Sequence, residues 1–245
     1  SSVEETHTTR TVGLSPWQEE QYSRIQKAWQ RARRAPVGSK EARAAAAEMI
    51  PREELTGLEG AALAEKLDDA CSFLAATRDR AVARILEQAP YEHNPRLQAL
   101  VEIAESYKNK DSDGGQVPGI IFASSPASVD LIAQVLAERG FRVATATGDT
   151  SPGAFEETRR QFNADDAGRE ETDLAKVAAA KRAASQYDII VCSNARATGA
   201  NLERSRWLVH YDLPWTAMTL KQREGRQNRL SQRWPGRFRF PWGFI

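Results

Sequence analysis

The sequence has few residues of the kinds that build metal sites and disulfide frameworks. Only two cysteines, Cys71 and Cys192, occur in 245 residues, and neither has another cysteine or a histidine nearby at metal-ligand spacing. The sequence therefore indicates neither a zinc site nor a disulfide framework. This scarcity fits a reducing, intracellular setting, which we expect to be cytoplasmic, with the nucleoid or nucleus as alternatives.

Long apolar runs are also missing. The longest, around Ile120 to Ala123 and Ile189 to Cys192, fall far short of the roughly 20 residues that span a bilayer, so we expect no membrane partner. The N-terminus has no signal-peptide pattern and no initiator methionine, and the C-terminus stops at FPWGFI like an interrupted element. From this we expect a fragment of a longer protein.

Two signatures of nucleotide hydrolysis are absent. No GxxxxGK[ST] loop occurs, since Gly38, Ser39 and Lys40 lack the required order and any preceding strand. No acidic metal-binding motif follows a strand either. Because hydrolysis of Mg·ATP needs both a phosphate cradle and a metal-holding acid, the chain alone is predicted to be inactive. No GxGxxG loop follows a predicted strand, which disfavours an unrelated doubly wound nucleotide-binding enzyme.

The charge that is present is unevenly distributed. The formal net charge is only +1, but residues 221–239 contain seven basic residues and the single acid Glu224. Such a local excess points to phosphate as a partner, although a solvated basic tail would give the same pattern.

Residues 14–92 have the pattern of a helical region. Ser15 is placed to cap a helix with Pro16 in its first turn, and strong helix formers dominate the stretch up to Gln88. No strand signal interrupts them. We therefore predict a linker and helical subdomain over residues 1–93.

After residue 94 apolar strands alternate with helical patterns, which predicts a parallel sheet flanked by helices over residues 94–245. The lengthened, Ala/Lys/Glu-rich connection at about 163–186 is interpreted as an inserted helix. The strand candidates are GIIFA, FRVATAT, YDIIVC and RWLVHYD, and a last helix is expected over Thr219 to Asn228.

Ligands of open parallel sheets gather at the carboxyl ends of the strands, so the residues after each strand are the first candidates for a site. Ser124 and Ser125 follow GIIFA, Gly148 follows VATAT, and the loop SNARATGANL begins at Ser193.

The segment QREGRQNRL, Gln222 to Leu230, is the most specific feature of the chain. In a helix, Gln222, Arg226 and Arg229 would share one face, and Gly225 would permit close approach of a backbone or a phosphate. A solvated arginine face remains the alternative from these residues alone.

These phrases, in this order, resemble a known family. QREGRQNRL resembles helicase motif VI, SNARATGANL resembles motif V, and GIIFASS resembles motif IV, while HYDLPWTAM resembles a phrase of SWI/SNF-type ATPases. The chain thus looks like the second RecA-like lobe of a superfamily 2 helicase of the SWI/SNF kind. The likeness covers about residues 94–232 well and 12–22 weakly.

The resemblance implies roles for individual residues. Arg229 is the first choice for an arginine finger on the γ-phosphate of ATP, and Arg226 is the second. The remaining nucleotide contacts would be Gly199, Asn201, Gln222 and Gly225. The nucleic-acid contacts would be Ser124, Ser125, Gly148, Ser193, Arg196 and Thr198.

The sequence also departs from the family. Phe155 stands where many superfamily 2 members have an arginine that helps to hold nucleic acid, which puts that contact in doubt. Arg196 and Ala197 replace a frequent Gly-Gly, so that Arg196 could instead reach a phosphate, and Ser231 replaces a common glycine.

As a whole, the resemblance implies a motor lobe. ATP with Mg²⁺ would be held mainly by a first RecA-like lobe, in cis or in trans, and double-stranded DNA would be the track. Contacts to the DNA backbone would make sequence preference weak and salt dependence steep. The alternative is a non-catalytic module, derived from a helicase lobe, that binds nucleic acid or a protein.

Overall fold

The computed structural model describes residues 5–110, 115–168, 170–193, 202, 204–212 and 240–244. The chain divides into two compact units. One, the helical unit, is Gly13–Pro95, and the other, the sheet unit, combines Ser1–Val12 with Arg96–Ile245.

The helical unit contains the helices that the composition of residues 14–92 predicts. They are α1 (Pro16–Arg34), α2 (Lys40–Ala47), α3 (Arg52–Leu55), α4 (Gly60–Ser72) and α5 (Leu74–Glu87), followed by a 3₁₀ turn at Tyr91–His93. Ser15 begins α1 through a capping box. Its hydroxyl accepts a hydrogen bond from the Gln18 N–H at 3.2 Å, and its own N–H donates to the Gln18 side chain at 3.0 Å.

Alanine dominates the core of the helical unit. Because alanine has no side-chain atoms beyond Cβ, α1 can pack closely against α2 and α5, and α2 against α4. The buried members of this core are Ile25, Ala28, Ala32, Ala42, Ala45, Ala46, Met49, Ala70, Cys71, Ala81 and Ile85. The buried Gln18 amide is satisfied by donating to the Ile85 carbonyl at 3.0 Å.

The sheet unit is a six-stranded parallel sheet flanked by helices, as predicted for an α/β fold. Its strands are β1 (Glu5–Thr9), β2 (Gly119–Ala123), β3 (Val143–Ala146), β4 (Ile189–Ser193), β5 (Trp207–His210) and β6 (Phe240–Phe244). Their spatial order is β1-β6-β5-β2-β4-β3. The helices are α6 (Pro95–Ser106), α7 (Pro126–Glu138), α8 (Pro152–Asn163) and α9 (Leu174–Ala184).

Strands β2, β4 and β5 lie in the middle of the sheet and are buried along their whole length. This explains why they read as continuous apolar runs rather than as alternating patterns. Their packing is close at Gly119, where a Cβ atom would lie 2.0 Å from the Trp207 ring. The indole also donates to the Val117 carbonyl at 2.8 Å and stacks on Tyr107 at 5.3 Å between ring centroids.

Two strands were not predicted. The sequence analysis placed residues 1–93 with the linker and helices, whereas β1 pairs in parallel with β6, from Glu5 opposite Phe240 to Thr9 opposite Phe244. The partner of β1 is more than 200 residues away along the chain, so local periodicity carries no sign of it.

The connection at 163–186 contains a helix, α9, as the sequence predicts. The helix expected over Thr219 to Asn228 lies outside the described residues.

Candidate functional site

The candidate site is the edge of the sheet where the parallel strands end. In the ladder, Ala123 lies opposite Ser193, and Phe122 lies opposite both Cys192 and His210. On the other side of β4, Cys192 lies opposite Ala146. The residues that follow β2, β3, β4 and β5 therefore emerge at one edge, which we call the carboxyl edge.

Ser124 and Asp212 are brought together at the carboxyl edge. The backbone N–H of Ser124, just after β2, donates to a carboxylate oxygen of Asp212, two residues after β5. Asp212 is buried, and the neighbouring Tyr211 N–H donates to the Phe122 carbonyl at 2.9 Å. Asp212 was not among the predicted site residues, although a carboxylate that follows the apolar run WLVH was a signal that could have identified it.

Ser125 has a clear local role as the N-cap of α7. Its hydroxyl oxygen accepts a hydrogen bond from the Ser128 N–H at 3.1 Å and lies 2.8 Å from the Ser128 hydroxyl. The cap leads from β2 directly into α7, so the positive end of this helix begins at the carboxyl edge.

Gly148 lies in an exposed turn after β3. The Thr147 N–H donates to the Thr150 hydroxyl at 3.0 Å, and the Thr150 N–H donates to the Thr147 carbonyl at 3.1 Å. Gly148 and Asp149 form the tip of this turn, and both are exposed. The turn expected after VATAT is thus present, and Ser151 then caps α8 by accepting from the Ala154 N–H at 3.2 Å.

Ser193 is the last residue of β4, and its hydroxyl is buried without a hydrogen-bond partner among the described residues. The residue is 3% exposed, and within the described part of the chain no hydrogen-bond partner reaches its Oγ. A buried hydroxyl without a partner is unfavourable because it has lost water and gained nothing in return. Ser193 therefore holds a polar atom at the carboxyl edge that a ligand could satisfy.

A cation that the sequence analysis did not single out lies near the same edge. The Arg96 guanidinium, in the first turn of α6, lies 5.5 Å from the centroid of the Tyr211 ring. Tyr211 precedes Asp212 and is fully buried.

The opposite edge of the sheet holds a structural ion pair. Arg142, before β3, donates to Asp188, before β4, with one N···O distance of 2.6 Å. This hydrogen bond and the negative charge raise the pKa of Arg142. Arg204, before β5, donates to the Ser185 hydroxyl at 2.6 Å and to the Tyr187 carbonyl at 2.9 Å. These contacts join the beginnings of the strands and have no counterpart among the predicted site residues.

Eight predicted site residues lie outside the described part of the chain. They are Arg196, Thr198, Gly199, Asn201, Gln222, Gly225, Arg226 and Arg229. Within the described residues, no group of three or more histidine, cysteine, aspartate or glutamate side chains could hold a metal ion. None of the described helices is long and apolar enough to cross a membrane.

The sequence and the fold together identify the family. A family model described as the helicase conserved C-terminal domain matches residues 95–231, which is more than half of the chain. The chain belongs to this family. The matched range of this helicase C-terminal domain includes the strand-end loops at Ser124, Gly148 and Ser193 as well as the segment Gln222 to Leu230.

Solved structures agree with this assignment at the level of fold. The C-terminal part of the Fun30 ATPase domain superposes with a TM-score of 0.59 at 12% identity, covering 99% of this chain and 85% of that one. The Sulfolobus solfataricus SWI2/SNF2 ATPase core in complex with dsDNA gives 0.56 at 12% identity, covering 98% of this chain and 41% of that one. No curated protein matches this chain by sequence.

The family match confirms the predicted helicase C-terminal domain, and the solved structures confirm the predicted RecA-like α/β fold. The superfamily 2, SWI/SNF type stays a prediction. The individual contacts to nucleotide and nucleic acid that the resemblance implied stay predictions.

Proposed function

We propose that this chain is the second motor lobe of an ATP-dependent DNA translocase. In this role it supplies finger arginines to a nucleotide held mainly by a first RecA-like lobe, and it forms half of the track for double-stranded DNA. The observation that carries the proposal is the family match over residues 95–231, because that range joins the strand-end loops to the segment QREGRQNRL.

The nucleic-acid part of the proposal is supported by the carboxyl edge. Ser193 places a buried hydroxyl there with no partner among the described residues, and a phosphate oxygen would satisfy it. The start of α7 adds the positive end of a helix, and Arg96 adds a cation near Tyr211. The Sulfolobus solfataricus SWI2/SNF2 core, which has this fold, is a complex with dsDNA, and we therefore propose duplex DNA as the ligand.

The nucleotide part rests on residues that the structure does not describe. Arg229 is proposed as the principal finger and Arg226 as its neighbour, with Gly199, Asn201, Gln222 and Gly225 beside the nucleotide. ATP supplies the phosphoryl group and Mg²⁺ neutralises its charge, and both are assigned mainly to the first lobe. The sequence supports this assignment, since it has no phosphate loop and no acidic metal motif after a strand.

The test is DNA-stimulated ATPase activity of a first RecA-like lobe mixed with this chain. We expect activity only in the mixture and only with duplex DNA. Arg229→Ala should reduce kcat by about 10³-fold or more, in line with other arginine fingers, and Arg226→Ala should have a smaller effect. Arg52→Ala, which removes an exposed arginine from the helical unit, is the matched control and should leave the rate unchanged.

The alternative function is a non-catalytic module. It predicts that the chain still binds DNA or a protein while ATP hydrolysis by the mixture is indifferent to Arg229→Ala. That outcome would replace the motor proposal with the module.

A further inference from the structure

Helix α1 carries a line of basic side chains that the proposed function does not use. Arg24, Lys27, Arg31 and Arg34 follow one another at intervals of three, four and three residues, and all four are exposed. We call these four residues the α1 basic stripe. Residues 21–40 contain no aspartate or glutamate at all, so the charge of the stripe is not offset along the chain.

The spacing places the stripe on one face of α1, beside the face that packs in the core. Ile25, Ala28 and Ala32 form the buried face. By the geometry of an α-helix, the centre of the stripe is rotated from the centre of this face by about a third of a turn. The stripe therefore runs along the border of α1 next to α2, on the surface of the helical unit.

Few carboxylates lie close to the stripe. Arg31 pairs with Glu48 at 2.5 Å, whereas Arg24, Lys27 and Arg34 have no ion-pair partner within the described ranges. The neighbouring Arg33, which is not part of the stripe, lies over the Trp29 ring at 5.3 Å. Three cations thus remain available to an external anion, and a fourth is held by one carboxylate.

The surface along the stripe is concave. Two open grooves of about 350 and 460 Å³ lie along it, and Arg31 and Arg34 line both. Glu41 and Glu48 of α2 are the acids that line these grooves, which leaves an excess of two positive charges. None of the exposed large apolar side chains of the described residues lines either groove, so this face does not suit an apolar helix or a lipid surface.

The length of the stripe suits a nucleic-acid backbone. Ten residues separate Arg24 from Arg34, which corresponds to about 15 Å along a helix axis. One strand of duplex DNA has a phosphate about every 3.4 Å of axis, so about four phosphates of one strand lie within an axial span of that length. Cationic side chains in a row suit contacts to backbone phosphates, which carry no sequence information.

We propose that the α1 basic stripe is a second, sequence-independent contact for the phosphate backbone of nucleic acid, located entirely within the helical unit. The choice of nucleic acid as the polyanion rests on the proposed function. The geometry of the stripe does not depend on the nucleotide or on the finger arginines.

The first experiment measures binding of the whole chain to a fluorescein-labelled DNA duplex of mixed sequence, by anisotropy at several KCl concentrations. The stripe variant is R24Q/K27Q/R34Q. We expect its affinity at low salt to fall by about tenfold or more, and the slope of log K against log [KCl] to become shallower by about 2.7, which is 0.9 for each lost phosphate contact.

The matched control variant is K40Q/R52Q/R80Q. It removes three exposed cations that also lie in the helical unit but line neither groove. Net charge changes equally in the two variants, so a general electrostatic effect would lower both affinities alike. Equal losses in affinity and in salt slope would overturn the proposal.

A second variant moves affinity in the opposite direction. Glu48→Gln releases the Arg31 guanidinium from its carboxylate partner among the described residues. We expect tighter binding and a salt slope steeper by about 0.9, because one more cation can then contact a phosphate. A purely structural role of α1 gives no reason for tighter binding, and an unchanged or weaker affinity would count against the stripe.

Two further measurements distinguish the proposed DNA contact from a site for acidic protein and from the proposed motor function. A polyglutamate peptide of equal charge should bind at least tenfold more weakly than the duplex, and equal binding would assign the stripe to acidic protein instead.

In the ATPase mixture, the stripe variant should keep the native kcat at saturating DNA, while Arg229→Ala should keep the native DNA affinity. A native DNA affinity in the stripe variant would contradict the stripe alone, and a native kcat in Arg229→Ala would contradict the motor function alone.

Discussion

The backbone N–H of Ser124 and the carboxylate of Asp212 form a hydrogen bond that joins the end of β2 to the segment after β5. The contact lies beyond the last ladder pair between these strands, so it extends their pairing with a side chain in place of backbone. Because Asp212 is buried, the bond has little competition from water.

Asp212→Ala should destabilise the sheet unit. It removes the acceptor of the Ser124 N–H, and the expected loss in the free energy of unfolding is about 1–3 kcal/mol. Asp212→Asn keeps a carbonyl oxygen and should cost less. Urea unfolding measures both, with Asp130→Ala on the exposed side of α7 as the control. If Asp212→Ala unfolds at the native urea concentration, the bond is not important for stability.

Ser193→Ala should change stability by no more than about 0.5 kcal/mol in either direction, because the hydroxyl has no partner among the described residues. The matched control is Ser185→Ala. That buried hydroxyl donates to the Phe162 carbonyl at 3.0 Å and accepts from Arg204 at 2.6 Å, so its removal should cost about 1–3 kcal/mol. Thermal unfolding distinguishes the two.

The same pair of variants bears on the role of Ser193 in binding. Ser193→Ala should weaken binding to duplex DNA, whereas Ser185→Ala should leave the affinity of the folded protein unchanged. A native affinity in Ser193→Ala would remove Ser193 from the proposed track.

Gly119→Ala should be severely destabilising. The new Cβ would lie 2.0 Å from the ring of Trp207, the first residue of β5, which is fully buried. Overpacking of this kind costs typically about 1–3 kcal/mol, and this contact should reach the upper part of that range.

The control for this clash is Gly153→Ala in α8. No atom lies within 4 Å of the position of its Cβ, and alanine favours a helix, so stability should rise by up to about 1 kcal/mol. Equal melting temperatures for Gly119→Ala and the native protein would contradict the close packing at Trp207.

Glu54 should contribute to stability in a pH-dependent way. Its hydrogen bond from Lys66, at 2.8 Å, together with the nearby Arg84, lowers the pKa of Glu54 below its usual value near 4.5. A carboxyl whose pKa is lower in the folded chain than in the unfolded one stabilises the fold above the unfolded-state pKa. That contribution is lost as pH falls through the folded pKa.

Glu54→Gln should therefore lower the free energy of unfolding near pH 7 by up to about 1 kcal/mol, as is typical of an exposed ion pair. The difference from the native protein should vanish once the pH is below the folded-state pKa, where the Glu54 carboxyl is protonated in both the folded and the unfolded chain. Glu53→Gln, at an adjacent exposed position without a described ion pair, is the control. A difference that persists unchanged at low pH would show that the pair is not its source.

The sequence by itself determined the helical region, strands β2 to β5 and the positions of the loops at the ends of these strands. Continuous apolar runs identify β2, β4 and β5 because these strands are covered on both faces. Ser15 identifies the start of α1 because capping depends on neighbouring residues. Ser124 and Gly148 were placed correctly after their strands for the same local reason, while Ser193 is the last residue of β4 and not the first residue after it.

Only the tertiary structure decided which distant groups meet. The pairing of β1 with β6, the contact of Ser124 with Asp212 and the fit of Gly119 against Trp207 each join residues at least 88 positions apart. Hydrophobic periodicity relates only residues that are close in the sequence, so it does not predict such contacts. The α1 basic stripe depends on the tertiary structure in the same way. Its charges are visible in the sequence, but packing against α2 decided that Glu48 reaches Arg31 and leaves Arg24, Lys27 and Arg34 without a carboxylate in the described residues.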